Sequence, residues 1–437
     1  MSYKKNISFE FITKIINIFL AFFTSVIIAK SLGPKDLGYA KFLILTLSTF
    51  GQFGHLGIID ATSYFQRKSR HTLEKIFKVN FTFLCIIAFT ISGTLVLLKY
   101  FGIFFEDYSF FIIVLTSGSI IFLTFLNNLL FATFVSKEKI IQVNKIGLYS
   151  SFITITIYLI LWLTNTLNVT SYLVAFSLKS VFGTIMMVKK IDIKFRFLFD
   201  LKIILEEISY GIIVYFGALF IYLNYRMDQW LIKFYLGDTN LGLYAVGVAI
   251  AEMILLVPMS VINPLRARLY NLDINSSEYR NLTAKTIKFS LYITLFISIP
   301  IYFGAEIISS EILYGAKYQG SVEIVKILLI GILFLTFGKV GSHYFVIKGK
   351  PFIHMSTASL VLFVNVILNL YLIPRMGISG AAWASTASYS IFGLSYILMY
   401  IFKEKFTITS LFVVSRKEMF NIYSKIINLL RSKIKKG

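Results

Sequence analysis

Long apolar stretches recur along almost the whole chain, and they constrain its fold more than any other feature. A transmembrane helix needs about 20 apolar residues to cross the hydrocarbon core of a bilayer. By that length the sequence predicts twelve spans. They lie at 7–28, 38–65, 79–98, 109–135, 146–164, 170–188, 209–235, 242–265, 286–308, 321–347, 352–373 and 380–402. Stretches this continuously apolar lack the alternation of a lipid-facing β-strand, so we expect an all-α membrane protein.

Composition supports a membrane protein and argues against a soluble basic one. Apolar residues make up 57% of the 437 residues, and the mean hydropathy is +0.78. A single hydrophobic core stops growing near about 250–300 residues, so lipid must solvate much of this surface. The 43 Lys and Arg exceed the 21 Asp and Glu, but they lie in short loops, so we expect no nucleic-acid partner. The lone Cys85 indicates neither a disulfide framework nor a metal cluster, and we expect no cofactor.

The distribution of positive charge predicts the orientation in the membrane. Loops that follow even-numbered spans hold most of the Lys and Arg, above all at 67–78 and 266–288. Positively charged loops stay on the cytoplasmic side, so we expect both termini to be cytoplasmic.

Three short tracts occur twice, in the same order and at nearly the same offset, which indicates a duplicated half. Each half then has an even number of spans, so the repeats are predicted to be parallel, related by an axis along the membrane normal. The paired tracts are Leu32–Ala40 with Leu236–Ala245, Phe134–Lys139 with Phe345–Lys350, and Ser180–Gly183 with Ser390–Gly393. The predicted division is an N-terminal six-helix lobe at 1–188, a cytoplasmic linker at 189–208, a C-terminal six-helix lobe at 209–402 and a cytoplasmic basic amphipathic tail at 403–437.

The linker and the tail both show apolar residues at helical spacing. Leu198, Leu201, Leu205 and Ile208 predict a short helix that lies on the inner membrane surface. In the tail, apolar residues that step by three and four from Phe420 alternate with Lys and Arg. This pattern is typical of an interfacial helix on anionic lipid, although a solvated helix is the alternative.

Ionisable residues inside the predicted spans need a reason, because each costs roughly 3 kcal/mol at mid-membrane. Basic residues outnumber acidic ones in this set, so a lumen lined by them should be cationic. Lys179, Arg226 and Lys339 are predicted to lie deepest, whereas residues near helix ends can extend to the interface. The set comprises Lys14, Lys41, Asp60, Lys179, Arg226, Asp228, Glu252, Lys326 and Lys339.

Polar residues of span 2 keep one helical phase, which favours a wall that faces a lumen. They are Lys41, Ser48, Gln52, His55 and Thr62. Hydrogen bonding between helices through Ser and Thr is the alternative.

Span 7 carries two polar stripes on different faces. Tyr222, Arg226, Gln229 and Lys233 form one, and Asn224 and Asp228 form the other, about 160° away. One face should meet the lumen and the other should bond to a neighbouring helix, and the sequence leaves open which is which. Further polar groups, His354, Asn365 and Asn369 in span 11 and Lys339, Ser342 and His343 in span 10, are interpreted as ties between helices.

Several weak motifs, taken in their order and placement, resemble the polysaccharide-exporter branch of the multidrug/oligosaccharidyl-lipid/polysaccharide transporter superfamily, the Wzx-type flippases. One departure is Gly211-Ile212-Ile213, where such proteins often have a proline. The motifs are Ala29-Lys30-Ser31-Leu32-Gly33-Pro34 through Tyr39, Arg226-x-Asp228, Leu236-Gly237, Tyr244-Ala245, Leu313-Tyr314-Gly315-x-x-Tyr318, and Asn369-Leu370 through Ile373-Pro374, Gly377-Ile378 and Gly380-Ala381-Ala382.

The resemblance implies a MATE-like fold of two lobes that rock around a central cavity in the bacterial inner membrane. It implies translocation of undecaprenyl-pyrophosphate-linked oligosaccharide to the outer leaflet, as for O-antigen, lipopolysaccharide or capsule. A polysaccharide polymerase and a chain-length regulator are further candidate partners, beside membrane lipids. The expected substrate-binding residues are Arg226, Lys179, Lys339, Lys41, Gln52, His55 and Asp228.

Two other functions compete with this interpretation. A cation-coupled multidrug exporter of the same superfamily would want a cavity of the opposite charge. A membrane-embedded polysaccharide polymerase or ligase would want a large outer loop, which the spacing of the spans does not leave. The sequence also lacks a Gly-rich phosphate loop, a His-Glu-x-x-His motif and a Gly-x-Ser-x-Gly motif, so we expect no enzyme.

Overall fold

The computed structural model describes residues 3–68, 71–269 and 272–414. Helices dominate these residues, and none of them lies in a strand, which confirms the predicted all-α class. The helices are α1 (Tyr3–Gly54), α2 (Ile58–Lys68), α3 (Leu73–Tyr100), α4 (Phe110–Ser136), α5 (Ile140–Leu163), α6 (Val169–Ile191), α7 (Leu201–Met253), α8 (Leu256–Leu269), α9 (Ser277–Phe303), α10 (Gln319–Ile347), α11 (Pro351–Leu398) and α12 (Ile408–Phe412).

Three of these helices are double, because one glycine in each turns the chain without a loop. Gly33, Gly237 and Gly377 have φ of 72°, 78° and 60°, which glycine adopts without the strain a Cβ would add. A straight helix of 52 residues, the length of α1, would extend about 78 Å, more than twice the bilayer core. Each double helix therefore supplies two spans. Its arms are α1a (3–32) and α1b (34–54), α7a (201–236) and α7b (238–253), and α11a (351–376) and α11b (378–398).

Nine helices of the described chain are long and apolar enough to span a membrane. Because three of them are double, they make the twelve predicted crossings. Spans 2 and 8 were predicted as continuous helices, which is wrong. The first breaks between Gly54 and Ile58, where Leu56 and Gly57 have positive φ, and the second breaks between Met253 and Leu256.

The linker prediction is wrong in its first part. Residues 192–200 are not helical, and α7 begins at Leu201, where the Asp200 side chain accepts a hydrogen bond from the backbone N–H of Ile203. The predicted surface helix is therefore the first turns of a transmembrane arm. The predicted tail helix from Phe420 onward lies outside the described residues. The lobe boundaries themselves stay a prediction.

The helices alternate between two ends of the bundle. We call the end with Gly33, Gly237 and Gly377 the kink end and the opposite one, with loops 137–139 and 348–350, the basic end. At the kink end α1b crosses α7b through Gly38 and Gly242. A Cβ on Gly38 would collide with the carbonyl oxygen of Asp238, and one on Gly242 with that of Pro34.

This crossing is reciprocal in the register of the sequence repeat. Pro34 and Gly38 follow Gly33 at the same spacing at which Asp238 and Gly242 follow Gly237. Gly38 therefore packs against Asp238, and its equivalent Gly242 packs against Pro34, which is the equivalent of Asp238. Such a contact is what an approximate two-fold relation between the repeats requires.

Candidate functional site

A cavity of about 570 Å³ lies between the two halves. Helices α1, α5 and α6 of the first half and α7b and α8 of the second half line it. Asn17 on α1a and Lys41 on α1b both face this space, which shows that the two arms of α1 lie side by side. Its volume falls within the range typical of ligand pockets, about 300–1,000 Å³.

Two predicted cations, Lys41 and Lys179, line this inter-half cavity. Lys179 is exposed and Lys41 is half-buried. Neither makes a hydrogen bond or an ion pair with any described residue. None of the residues that line the cavity is acidic, whereas Ser25, Ser151 and Thr154 add hydroxyl groups to its wall. The cavity therefore offers two uncompensated positive charges and several neutral hydrogen-bonding groups to a ligand.

Gln52 and His55 lie elsewhere, at the basic end of α1b. The two Nε2 atoms are 3.3 Å apart, and the His55 ring packs edge-on against the Tyr215 ring of α7a at 5.1 Å. The predicted polar stripe does not continue to Thr62, because the helix break at Leu56 changes the phase. Thr62 instead faces α3, where it accepts a hydrogen bond from Asn80.

These residues belong to a long contact between α1b, α2 and α7a, which we call the seam. The Tyr222 and Thr49 hydroxyl oxygens are 3.1 Å apart, and the Tyr215 hydroxyl donates to the carbonyl oxygen of Phe53 at 2.9 Å. Aromatic side chains pack against each other at both ends of the seam. Phe42 meets Trp230 at 5.4 Å, and Tyr64 stacks on Tyr210 at 4.4 Å.

Arg226 forms an ion pair with Glu252 of α7b. Its Nη1 and Nη2 atoms donate to the two carboxylate oxygens at 3.3 and 3.1 Å, so the guanidinium is engaged on its forked face. Such a two-point geometry is the one guanidinium also uses on phosphate. In this conformation Glu252 neutralises Arg226, and a substrate anion would have to compete with it.

Lys339 lines a second, smaller cavity of about 340 Å³ within the second half. Its Nζ lies 4.9 Å from the centre of the Tyr225 ring, a cation–π contact. Arg266, Ser342, His343 and His354 share the lining, so the predicted grouping of Lys339 with Ser342 and His343 is confirmed. The structure thus separates Lys339 from Lys41 and Lys179 rather than bringing all three to one ligand.

Asp228 is buried in the second half and faces away from the inter-half cavity. Its carboxylate accepts hydrogen bonds from the Tyr244 hydroxyl at 2.5 Å and from the Ser385 hydroxyl at 2.9 Å. Nearby, Asn365 donates to Ser388 at 3.2 Å, joining the two arms of α11 as the sequence indicated. Both stripes of span 7 therefore bond within the second half, one through Asp228 and the other through the Arg226–Glu252 ion pair.

The sequence identified the ionisable residues within the membrane but not the residues that they contact. Arg226 and Glu252 were both recognised as intramembrane ions, but no spacing rule pairs them across a glycine turn. Arg266 was counted as a loop cation, although it lines the smaller cavity. Glu207 was assigned to the linker, although its side chain is fully buried. An acidic residue among the apolar Ile203, Ile204 and Ile208 was the sequence signal that could have indicated a buried Glu207.

A family model of polysaccharide biosynthesis proteins matches residues 10–323, well over half of the chain. The chain belongs to the polysaccharide biosynthesis protein family. The family resemblance that the motifs indicated is therefore confirmed. An uncharacterized membrane protein of Methanocaldococcus jannaschii is 35% identical over 102 residues, which cover 23% of this chain and 18% of that protein.

Solved structures show the same fold over nearly the whole chain. A lipid II flippase, MurJ, in an inward closed conformation has a TM-score of 0.74 at 17% identity, with 92% of this chain and 88% of that chain covered. A Vibrio cholerae MATE transporter has a TM-score of 0.67 at 12% identity, with coverage of 93% and 98%. A transporter of the same superfamily from Pyrococcus furiosus has a TM-score of 0.65 at 14% identity, with coverage of 92% and 97%. The chain is therefore a multi-pass membrane protein of MATE-like fold.

Proposed function

We propose that the protein is a flippase that moves undecaprenyl-pyrophosphate-linked oligosaccharide from the inner to the outer leaflet of a bacterial inner membrane. The basic end would face the cytoplasm, in keeping with the position of the Lys and Arg residues. A polysaccharide polymerase and a chain-length regulator would then use the product in the outer leaflet. Family membership and the flippase-like fold support a lipid-linked substrate.

The observation that carries the proposal is the pair of cations without counterions in the inter-half cavity. A cation without a partner inside a membrane-spanning region is costly, so its retention is explained when a ligand supplies the negative charge. Lys41 and Lys179 converge on one space large enough for a small ligand. A pyrophosphate carries negative charge on both phosphates and presents several acceptor oxygens. Lys41 and Lys179 would hold it, and the hydroxyls of the wall would bind the adjoining sugar.

The same cavity argues against an exporter of organic cations. Such a ligand would want a carboxylate in the cavity wall, and none of the residues that line it is acidic. Two acidic groups inside the second half, Asp228 and Glu252, are engaged by Tyr244, Ser385 and Arg226. Arg226 therefore neutralises Glu252, and two hydroxyl groups occupy the Asp228 carboxylate.

Export per molecule of inserted protein tests the proposal. In cells that lack the native copy, Lys41→Ala and Lys179→Ala should each lower surface polysaccharide by about tenfold, which corresponds to about 1.4 kcal/mol of lost substrate binding. Lipid-linked oligosaccharide should accumulate in the inner leaflet. Lys179→Arg should retain most of the export, because it keeps the charge.

Lys190→Ala is the matched control, because this exposed residue lies on the same helix, α6, at its basic end. Equal export by the control and by both cavity variants would contradict the cationic-cavity mechanism. Unchanged polysaccharide on complete removal of the protein would contradict the flippase function itself.

Orientation has a separate test with cysteines placed at two exposed positions, one at each end of the bundle, in a Cys85→Ala background. A membrane-impermeant thiol reagent applied to intact cells should label Asp107→Cys at the kink end but not Ser277→Cys at the basic end. Labelling at position 277 alone would place the basic end outside the cell.

A further inference from the structure

A buried carboxyl group lies at the basic end of the seam, away from both cavities. Glu207 of α7a, Asn80 of α3 and Thr62 of α2 meet there, and all three side chains are fully buried. Ile58, Val79, Ile203 and Ile204 form an apolar cluster beside them. The group therefore joins α7a of the second half to α2 and α3 of the first half in a buried, apolar environment.

This group has fewer hydrogen-bond donors than buried acceptors. The Asn80 amide nitrogen donates to the Glu207 Oε2 atom at 2.8 Å and to the Thr62 hydroxyl at 3.0 Å, which uses both of its hydrogens. The Thr62 hydroxyl donates to the carbonyl oxygen of Ile58 at 2.8 Å. Two buried oxygens remain without a partner, Glu207 Oε1 and Asn80 Oδ1. Both are acceptors, so neither can satisfy the other.

A proton on Glu207 Oε1 supplies the missing donor. The carboxylic acid would donate to Asn80 Oδ1 while its Oε2 accepts from the same amide, an acid–amide pair with two hydrogen bonds. An ionised carboxylate in this place would have one hydrogen bond and no counterion, which costs several kcal/mol. We propose that Glu207 is a proton-binding site that must be occupied for α7a to close against α2 and α3.

The charged groups on the surrounding elements are paired among themselves or exposed. Lys75 contacts Asp200 at 2.9 Å and Lys78 contacts Glu74 at 2.7 Å, while Arg67 donates to the carbonyl oxygens of Val135 and Ser136. Asp60 on α2 has a side chain outside the described set. Other titratable residues toward the basic end include His55 beside the Tyr215 ring, His71, Cys85, the stacked pair Tyr64 and Tyr210, and the exposed Lys194, Arg196, Lys202 and Glu206.

The sign of the pH effect follows from the buried position. The closed contact holds one proton more than the separated contact, in which water solvates the carboxylate. Closure of the basic end is therefore favoured at low pH and is lost as pH rises. Separation of the halves would release the proton at the basic end, and renewed closure would require a new one.

Distance measurements between spin labels test this proposal without any substrate. Glu138→Cys and Lys350→Cys, in a Cys85→Ala background, place labels on equivalent exposed loops of the two halves at the basic end. In nanodiscs, the population with the short distance should fall at least about twofold between about pH 5.5 and about pH 8.5. Glu207→Gln should hold the short distance at both pH values, because its amide reproduces the protonated pair and cannot ionise.

Controls distinguish Glu207 from its neighbours. Thr62→Val and His55→Gln should keep the pH response, whereas Glu207→Met, a neutral replacement in case the Gln variant misfolds, should lose it. An unchanged pH response in the neutral Glu207 variants, or none in the parent protein, would overturn the proposal. A distance that follows sodium chloride against choline chloride at constant pH would make this a sodium site instead. None of these outcomes depends on which lipid-linked glycan is transported.

Discussion

The two sides on which the halves meet differ in construction. Along the seam, α1b and α2 pack against α7a from end to end through rings and hydroxyls. On the opposite side, the cavity with Lys41 and Lys179 separates α1a from α7b. Hydrogen bonds close that side at the kink end. They join Ser25 to Tyr314 at 2.6 Å, the Tyr318 hydroxyl to the carbonyl oxygen of Ala29 at 2.9 Å, and the Lys30 Nζ to the carbonyl oxygen of Glu311 at 2.5 Å.

The difference teaches that the sequence repeat does not impose equal contacts. The reciprocal crossing at Gly38 and Gly242 is symmetric, whereas the two flanks that diverge from it are not. Rings of α7a fill the seam, and the equivalent space beside α1a stays open. We infer that the crossing at Gly38 and Gly242 and the middle of the seam, around Thr49 and Tyr222, hold the halves together. The cavity side opens and closes around the ligand, and the seam separates only at its basic end. Four predictions test this division of roles.

The largest effect is expected at the crossing that both sides share. Gly38→Ala and Gly242→Ala would each force backbone against backbone and should cost at least about 3 kcal/mol, the upper end for overpacking. The yield of monodisperse protein and its Tm in detergent measure this loss. Gly93→Ala and Gly118→Ala are matched controls, since no atom lies within 4 Å of a Cβ there. Near-normal stability of the Gly38 variant would refute the close crossing.

The next prediction compares an engineered disulfide on the cavity side with one on the seam, each in a Cys85→Ala background. A disulfide between Ser25→Cys and Tyr314→Cys should lower export by more than about tenfold, because the cavity must open at the kink end. Reduction should restore it. A disulfide between Thr49→Cys and Tyr222→Cys on the seam should lower export by less than about twofold. The reverse order of sensitivity would exchange the roles of the two sides.

An ion pair in the second half gives an intermediate effect on stability. Arg226→Ala should cost at most about 3 kcal/mol, the lower end for a buried pair, because it leaves the half-buried Glu252 without a counterion. The double variant Arg226→Met with Glu252→Met should recover most of that loss. A double-mutant cycle on Tm measures the coupling, and additive losses would show that the pair is not formed in the membrane. Lost export by a well-folded double variant would add Arg226 to the ligand-binding groups.

The smallest effect is expected from the charges at the kink end of the seam. Lys233 of α7a contacts Asp107 at 3.6 Å and Asp238 at 2.8 Å, and the Asp107 side chain is 71% exposed. Exposed pairs contribute about 0–1 kcal/mol, so Asp107→Asn should shift Tm only slightly. Trp230→Ala, which removes a ring from the same region, should cost about 3 kcal/mol. A larger loss for Asp107→Asn would mean that charge rather than packing holds the seam.

The sequence predicted much of the fold, because hydrophobic length is a local property. The twelve crossings, the all-α class, the register of the repeat around Gly33 and Gly237, and the family all followed from short stretches read one at a time. Helix breaks at Leu56 and Met253 did not follow, because apolar composition continues through them. The linker was misread for the same reason, since Leu201 begins a transmembrane arm with the periodicity of a surface helix.

The candidate site depended on the tertiary structure. The sequence by itself determined which ions lie within the membrane, but their partners depend on how each helix is rotated about its axis. That rotation is set by packing between residues far apart in the chain. Asp228 meets Ser385 across 157 positions, and Glu207 meets Asn80 across 127. Only those contacts decided that Arg226 and Asp228 are engaged, that Lys41 and Lys179 face an open cavity, and that one buried oxygen of the Glu207 carboxyl has no partner. The low polarity around such groups makes every unpaired charge costly.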